Sequence, residues 1–183
     1  MLDAAAALLD EQGLPGPTTS QIAAHASVSV GSLYQFFPDQ RAVLQALADR
    51  SFQRFRELLG QRLAACPPQQ WRDVVEVVVD SYVEFTGTEP AARVLSFGGP
   101  MDMHLQLDDD NNAVVTAALT QLIEGVVPGL VVDSRLELRL RVAVEAADSV
   151  LDLAFRQSPK GDPAVVAEAK RVVVAYLAEH LDR

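Results

Sequence analysis

The sequence lacks the features that mark several common protein classes. Among its 183 residues there is a single cysteine, Cys66, so no intrachain disulfide can form and a reducing compartment is expected. No apolar run approaches the ~20 residues that cross a bilayer, and the AAAALL stretch near the start is too short for a secretory signal. Glycine-rich phosphate loops and nucleophile elbows are also missing. We therefore expect a cytoplasmic protein that is not an enzyme, needs no cofactor and does not associate with a membrane.

Positive charge is scarce as well. The chain has 15 Lys and Arg against 25 Asp and Glu, for a formal net charge of −10, and neither Lys nor Arg occurs in residues 1–40. Taken alone, this balance argues against a nucleic-acid-binding protein. It does not exclude one, because the charge of the local docking face matters more than the total.

The stretch from Thr18 to Arg41 predicts two short helices joined by a tight turn. Thr18 has the side chain of a helix N-cap, and Gln21 stands three residues later, as in a capping box. Ser27 and Val28 form the turn in this interpretation, and Ser29 caps the second helix. This arrangement is typical of a helix-turn-helix that binds DNA.

The second of these helices has an inner and an outer face. Leu33, Phe36 and Phe37 recur at helical spacing and are predicted to point inward, and Pro38 is predicted to stop the helix. Asp39 is then placed to cap the next helix. The outward side chains are predicted to be Val30, Gly31, Ser32, Tyr34 and Gln35.

The run TTSQIAAHASVSVGSLYQFFPDQRAVLQAL resembles the DNA-binding domain of the TetR family of bacterial transcriptional repressors. The preceding MLDAAAALLDEQG is similar to that family's first helix, and the likeness covers about residues 1–50. It implies a homodimer that binds a double-stranded DNA operator and is released by a small-molecule effector. The residues expected at the DNA are Thr18, Ser29, Val30, Gly31, Ser32, Tyr34, Gln35, Gln40 and Arg41.

The sequence departs from the family pattern in ways that bear on DNA binding. Ser27 stands where a glycine is usual, which predicts backbone strain in the turn. Val30 and Gln40 stand where basic residues are common, and Thr19 replaces an apolar residue. The short basic arm that usually precedes the first helix is not seen, so either translation starts upstream or the protein binds DNA weakly; the sequence leaves both open.

Helical periodicity extends over the rest of the chain, with almost no strand alternation. We predict an all-α protein: a three-helix, helix-turn-helix DNA-binding domain at residues 1–45, then a larger helical effector-binding and dimerisation domain at 46–183. The first helix is predicted at Leu2–Gln12. Beyond the helix-turn-helix, helices are predicted at 39–66, 69–85, 91–97, 112–127, 134–157 and 163–181.

The last two long helices carry broad stripes of apolar and small residues. Two such helices meeting their symmetry mates would form a four-helix bundle about a two-fold axis. The alternative is that both faces are covered inside the monomer. The residues predicted at the dimer interface are Leu140, Val144, Ala147, Leu151, Val172, Val173 and Tyr176.

The middle helices are predicted to hold an apolar effector. Tyr82, Thr86 and His104 are the candidates for its hydrogen bonds, although ordinary core packing is the alternative for each residue. A metal site at Asp102, His104 and Asp108–Asp110 is not predicted, because consecutive acids point in different directions. The predicted pocket residues are Phe55, Leu59, Trp71, Val75, Val78, Tyr82, Phe97, Met101, Met103, His104, Leu119 and Leu122.

We predict a ligand-responsive repressor in which the effector favours a different separation of the two recognition helices. The long helix that follows the helix-turn-helix would transmit the change. The alternative is a helical protein that binds a small molecule or a partner and whose helix-turn-helix has weak or lost DNA affinity.

Overall fold

Most of the described chain is helical. The computed structural model describes residues 1–13, 16–89, 92, 111–156 and 158–182, and no strand occurs among them. The predicted all-α class is confirmed; of the predicted helix at 91–97, only Ala92 is among the described residues. The helices are α1 (Leu2–Gln12), α2 (Thr19–His25), α3 (Val30–Tyr34), α4 (Gln40–Ala65), α5 (Trp71–Thr88), α6 (Asn111–Val126), α7 (Ser134–Phe155) and α8 (Pro163–Leu181).

The chain divides into two compact units. The described residues of unit 1 are 1–13, 16–54, 89 and 92, and those of unit 2 are 55–88, 111–156 and 158–182. The division falls between Arg54 and Phe55, so α4 has residues in both units. The sequence-based boundary at residue 45 lies earlier in the same helix.

Unit 1 is built on a small alanine- and leucine-rich core. Leu9, Ile22, Leu33 and Leu44 are fully buried there, each contributed by a different helix. The alanines of α1 and α2 allow these short helices to approach closely. An ion pair between Arg50 Nη1 and Asp3 Oδ1, 2.6 Å long, joins α4 to α1 at the surface. Positions of α1 to α4 are therefore fixed mainly by apolar contact.

Unit 2 is a layered helical body. Helices α7 and α8 pack along each other, α5 packs against both α8 and α6, and α6 also packs on α7. No helix among the described residues is long and apolar enough to span a membrane. The core of unit 2 includes Trp71, Val74, Val79 and Phe85 of α5, Leu119 and Ile123 of α6, Leu136, Leu140, Leu151 and Phe155 of α7, and Ala169, Val173 and Leu177 of α8.

A polar clasp joins the start of α5 to the end of α8. Trp71 Nε1 donates to Asp182 Oδ1 at 3.0 Å, and Arg72 Nη1 donates to the same oxygen at 2.9 Å. The Arg72 guanidinium also lies 4.3 Å from the centre of the Trp71 ring, a cation–π geometry. These bonds from Arg72 and Trp71 hold the pKa of Asp182 below its ordinary value.

Candidate nucleic-acid interface

Helix α2 begins with the predicted capping box. Gln21 N donates to Thr18 Oγ1 at 3.3 Å, and Thr18 N donates to Gln21 Oε1 at 2.8 Å. Both donors would be without an intrahelical partner, because they lie at a helix N-terminus. The Thr18 side chain is therefore occupied in stabilising α2.

The turn after α2 is a Schellman motif with Ser27 at its left-handed position. Val28 N donates to Ala23 O at 3.0 Å and Ser27 N donates to Ala24 O at 3.1 Å, the two bonds that define the motif. Ser27 has φ of 55°, the one positive value at a non-glycine among the described residues. The predicted strain is present, because a side chain is disfavoured in this region.

Replacing Ser27 by Gly is expected to raise the free energy of unfolding of unit 1 by about 0.5–1 kcal/mol. Relief of the left-handed strain exceeds the entropy that glycine gains in the unfolded chain. Urea denaturation with and without the substitution measures the difference. Ser20→Gly, at an exposed position inside α2, is the matched control and should lower stability by about 0.5 kcal/mol. A loss of stability in S27G would contradict the interpretation.

The recognition helix α3 is shorter than predicted. Ser29 caps it, as expected, by accepting from Ser32 N at 3.0 Å, but α3 ends at Tyr34, well before Pro38. The prediction that Phe36 points inward is wrong, since its side chain is 69% exposed. Once the helix has ended, the backbone turn rather than the helical period sets the direction of that side chain.

The other predicted positions of this segment fall close to expectation. Leu33 is fully buried, and Phe37 is partly buried against the same core. On the outer side, Val30, Gly31, Tyr34 and Gln35 are exposed and Ser32 is half-buried. Asp39 caps α4 by accepting from Ala42 N at 2.8 Å.

Most hydroxyl groups of α3 already have partners within the protein. Ser29 Oγ and Ser32 Oγ share a hydrogen bond of 2.8 Å. The Tyr34 hydroxyl lies 3.2 Å from Thr19 Oγ1, where either oxygen can donate. This bond joins α3 to α2 and gives a reason for a hydroxyl at position 19, where the family usually has an apolar residue. It holds the Tyr34 ring in one orientation on the exposed side of the unit.

Gly31 lies in the first turn of α3 without a need for it inside the protein. A methyl group built there would meet only Ser29 Oγ, at 3.8 Å. A helical glycine costs roughly 1 kcal/mol relative to alanine, so its presence calls for an explanation. Gly31 is exposed, so one explanation is that the missing side chain lets an external surface come close to α3.

Lys and Arg are nearly missing from this segment. Arg41 is exposed and is the first Lys or Arg of the chain. Gln40, which stands where the family commonly has lysine, donates from Nε2 to Gly16 O at 3.3 Å. It thereby ties the loop after α1 to α4.

The predicted effector residues that the structure describes lie in unit 2 and pack as core. Phe55, Trp71, Val75, Tyr82 and Leu119 are buried, and Leu59, Val78 and Leu122 are half-buried. Phe97, Met101, Met103 and His104 lie outside the described residues, as do the acids near His104.

Tyr82 is the most distinctive polar group of that set. The ring centroids of Tyr82 and Phe55 lie 6.4 Å apart in a T-shaped arrangement, and Tyr82 is hydrogen-bonded to the buried Thr86 side chain. Burial raises the pKa of the Tyr82 hydroxyl above its ordinary value, and the charge of Asp148 raises it further. The phenol therefore stays neutral and can donate a hydrogen bond inside an apolar environment.

The predicted dimer residues divide into two sets. Leu140, Leu151 and Val173 are buried within one copy of the chain, whereas Val144, Ala147 and Tyr176 are half-buried and Val172 is exposed. Sequence reasoning missed Leu138, Val142 and Leu153, which are exposed along the outer face of α7. An open groove of about 450 Å³ lies along that face, lined by Leu138, Arg141, Val142, Glu145, Ala146 and Ser149.

Two family models match the chain. One, described as "Bacterial regulatory proteins, tetR family", matches residues 1–47. The other, described as "Tetracyclin repressor-like, C-terminal domain", matches residues 69–181. A search of curated proteins gives no significant match.

Solved structures match over nearly the full length of the chain. A TetR-family transcriptional regulator from Streptomyces coelicolor is 35% identical with a TM-score of 0.77, and the match covers 97% of this chain and 95% of that one. A TetR-like regulator from Rhodococcus sp. RHA1 is 20% identical, with a TM-score of 0.65 and coverage of 99% and 93%. The fatty acid degradation regulator FadR from Bacillus halodurans is 18% identical, with a TM-score of 0.70 and coverage of 94% and 91%.

Proposed function

The chain belongs to the TetR family of bacterial transcriptional regulators, and from that premise we propose that it is a homodimeric repressor released from its operator by a small apolar effector. Members of the family are DNA-binding transcription factors rather than enzymes. Because its target is chromosomal DNA, the proposed location is the cytoplasm. The observation that carries the proposal is the helix-turn-helix of unit 1, with an exposed recognition helix α3.

The outer face of α3 supports insertion into a major groove. Val30, Gly31, Tyr34 and Gln35 are exposed together, and Gly31 lets another surface come close. The groove of B-DNA is wide enough for one α-helix. The proposed contacts also include Ser29, Ser32, Thr18, Gln40 and Arg41, several of which also take part in hydrogen bonds within unit 1.

The outer face of α7 supports a dimer. Leu138, Val142 and Leu153 leave a row of large apolar side chains exposed, and Val172 of α8 is exposed as well. Two copies related by a two-fold axis would cover such a row with the same row. A dimer also suits an operator made of two half-sites.

The proposed release is a shift between two conformations. An apolar effector in unit 2, hydrogen-bonded by Tyr82 or Thr86, would favour a state with a different spacing of the two recognition helices. Helix α4, with residues in both units, is the proposed connection. A roughly 100-fold preference of the effector for that state, about 2.7 kcal/mol, would release much of the DNA.

The experiment that tests the proposal is DNA binding as a function of salt. We expect specific binding to a fragment from upstream of the gene. The logarithmic salt slope should be shallower than about −5, the value for six phosphate contacts, because residues 1–40 contain no Lys or Arg. Phe36→Lys adds a cation beside α3 in each copy and should steepen the slope by about 2. Fluorescence anisotropy at a series of salt concentrations measures both.

Phe36→Ala is the control, because it removes the same ring without adding charge and should leave the slope unchanged. Finding no specific complex at low salt would defeat the repressor proposal. A slope near zero would favour the second candidate, a helical protein that binds a small molecule or a partner with lost DNA affinity. The absence of Lys and Arg before Arg41, together with the net charge of −10, is the observation behind that candidate.

A further inference from the structure

We infer that α3 reads A·T base pairs, with Val30 packing on a thymine methyl group and Gln35 hydrogen-bonding an adenine. This inference rests on the proposed operator binding and adds the chemistry by which the half-site is selected. Two observations support the inference. Only some exposed side chains at α3 are available to contact a base edge, and the sequence lacks the residues that usually contact guanine.

The hydroxyl groups of α3 are engaged within the protein. Ser29 and Ser32 bond each other, and Ser29 Oγ also accepts from Ser32 N. The Tyr34 hydroxyl pairs with Thr19. A base that recruited any of these groups would have to compete with a bond already made, which weakens discrimination.

Two exposed side chains have no such engagement. Val30 is 37% exposed at the first position of α3 and offers only methyl groups. Gln35 is exposed just after the helix, and its side-chain amide has no hydrogen bond within the described part of the chain. An apolar side chain contacts the thymine methyl in the major groove, and a glutamine amide matches adenine N6 and N7.

Their placement around α3 suits a helix inserted into a groove. Gln35 is the C-cap of α3 and keeps right-handed helical dihedrals, with φ of −68° and ψ of −27°, so the helical spacing of about 100° per residue still holds there. On that spacing Gly31 lies between Val30 and Gln35, and Gln35 lies about 140° from Val30. The open position at Gly31 allows the helix axis to approach the floor of the groove. Val30 and Gln35 would then face bases on either side of Gly31, the point where the helix comes closest to the DNA.

Guanine is disfavoured because α3 has no Lys or Arg. The commonest specific contact to guanine is an Arg or Lys on O6 and N7. Neither residue occurs before Arg41, which follows α3 at the start of α4. The positions contacted by α3 are therefore expected to be A·T pairs.

The test begins with selection of operators from random duplexes by the full-length protein. In the selected duplex, each thymine is replaced singly by deoxyuridine, which removes the methyl group alone, and each adenine by 7-deazaadenine, which removes N7. We expect one deoxyuridine position per half-site to weaken binding about fourfold, the effect of losing one buried methyl contact. Val30→Ala should abolish the difference in affinity between thymine and deoxyuridine duplexes. Gln35→Ala should abolish the loss of affinity that 7-deazaadenine causes.

Val114→Ala, a truncation of an exposed valine in unit 2, is the matched control and should retain both sensitivities. The inference is overturned if selected half-sites have G·C at the positions sensitive to Val30 and Gln35. It is also overturned if deoxyuridine has no effect, or if the effect survives Val30→Ala. Those results leave operator binding intact, whereas a selection that enriches no duplex removes the proposed function together with the inference.

Discussion

Replacing Leu33 by Ala is expected to lower the free energy of unfolding of unit 1 by about 3 kcal/mol. The same truncation at Phe36, three residues later, should cost less than about 0.5 kcal/mol. Leu33 is fully buried between the short helices, whereas Phe36 is 69% exposed. Truncating a buried leucine loses its apolar contacts and leaves a cavity that a close-packed core fills only in part.

Hydrogen exchange measured by mass spectrometry separates this effect from global stability. Peptides from α1 to α3 should exchange much faster in Leu33→Ala, because local opening of unit 1 becomes less costly. Peptides from α8 serve as the internal reference and should change little. Equal acceleration in Phe36→Ala would mean that Phe36 packs inward, as its spacing from Leu33 had predicted.

The contrast between these two residues shows how far local sequence signals reach. Caps and turns are set by neighbours in the chain, so the Thr18 capping box, the Ser29 cap and the left-handed Ser27 were predictable. Helical spacing is informative only while the helix lasts. It failed at Phe36 because α3 has already ended at Tyr34.

Helix α7 shows a different limit. Its sequence has one apolar stripe that includes Leu140 and Leu151 and another that includes Leu138 and Val142. The second stripe is offset from the first by two residues, so the two lie on nearly opposite faces of the helix. Apolar character alone cannot tell which stripe covers the chain's own core. The structure buries the first stripe and leaves the second exposed. The large apolar side chains that α7 leaves exposed are therefore ones that sequence reasoning omitted.

The effector pocket stays a prediction, and its surroundings depend on packing that the sequence does not signal. Trp71 was expected to line a pocket, yet its indole N–H is bonded to Asp182, a residue more than one hundred positions away in the chain. No sequence spacing signals such a pair, because it depends on how α5 and α8 pack. Tyr82 and Thr86 keep the combination of burial and a polar group that an effector site requires.

Introducing a charge at the exposed stripe of α7 is the second large expected effect. Val142→Asp should weaken the proposed dimer by at least about 100-fold, because two-fold symmetry buries two carboxylates, beside Glu145, for each substitution. Operator affinity should fall with it, since each half-site then binds one copy alone. Sedimentation velocity over a range of concentrations measures the dissociation constant, and anisotropy measures DNA binding.

Val114→Asp is a close control, because Val114 and Val142 are each 42% exposed and only Val142 lies on the stripe of α7. Both substitutions place a carboxylate at an equally exposed position. Any general effect on folding should therefore occur in both variants and be visible by circular dichroism. Only Val142→Asp should yield monomers. If both variants remain dimers at nanomolar concentration, the outer face of α7 is not the interface, and the apolar row from Leu138 to Leu153 must have another use.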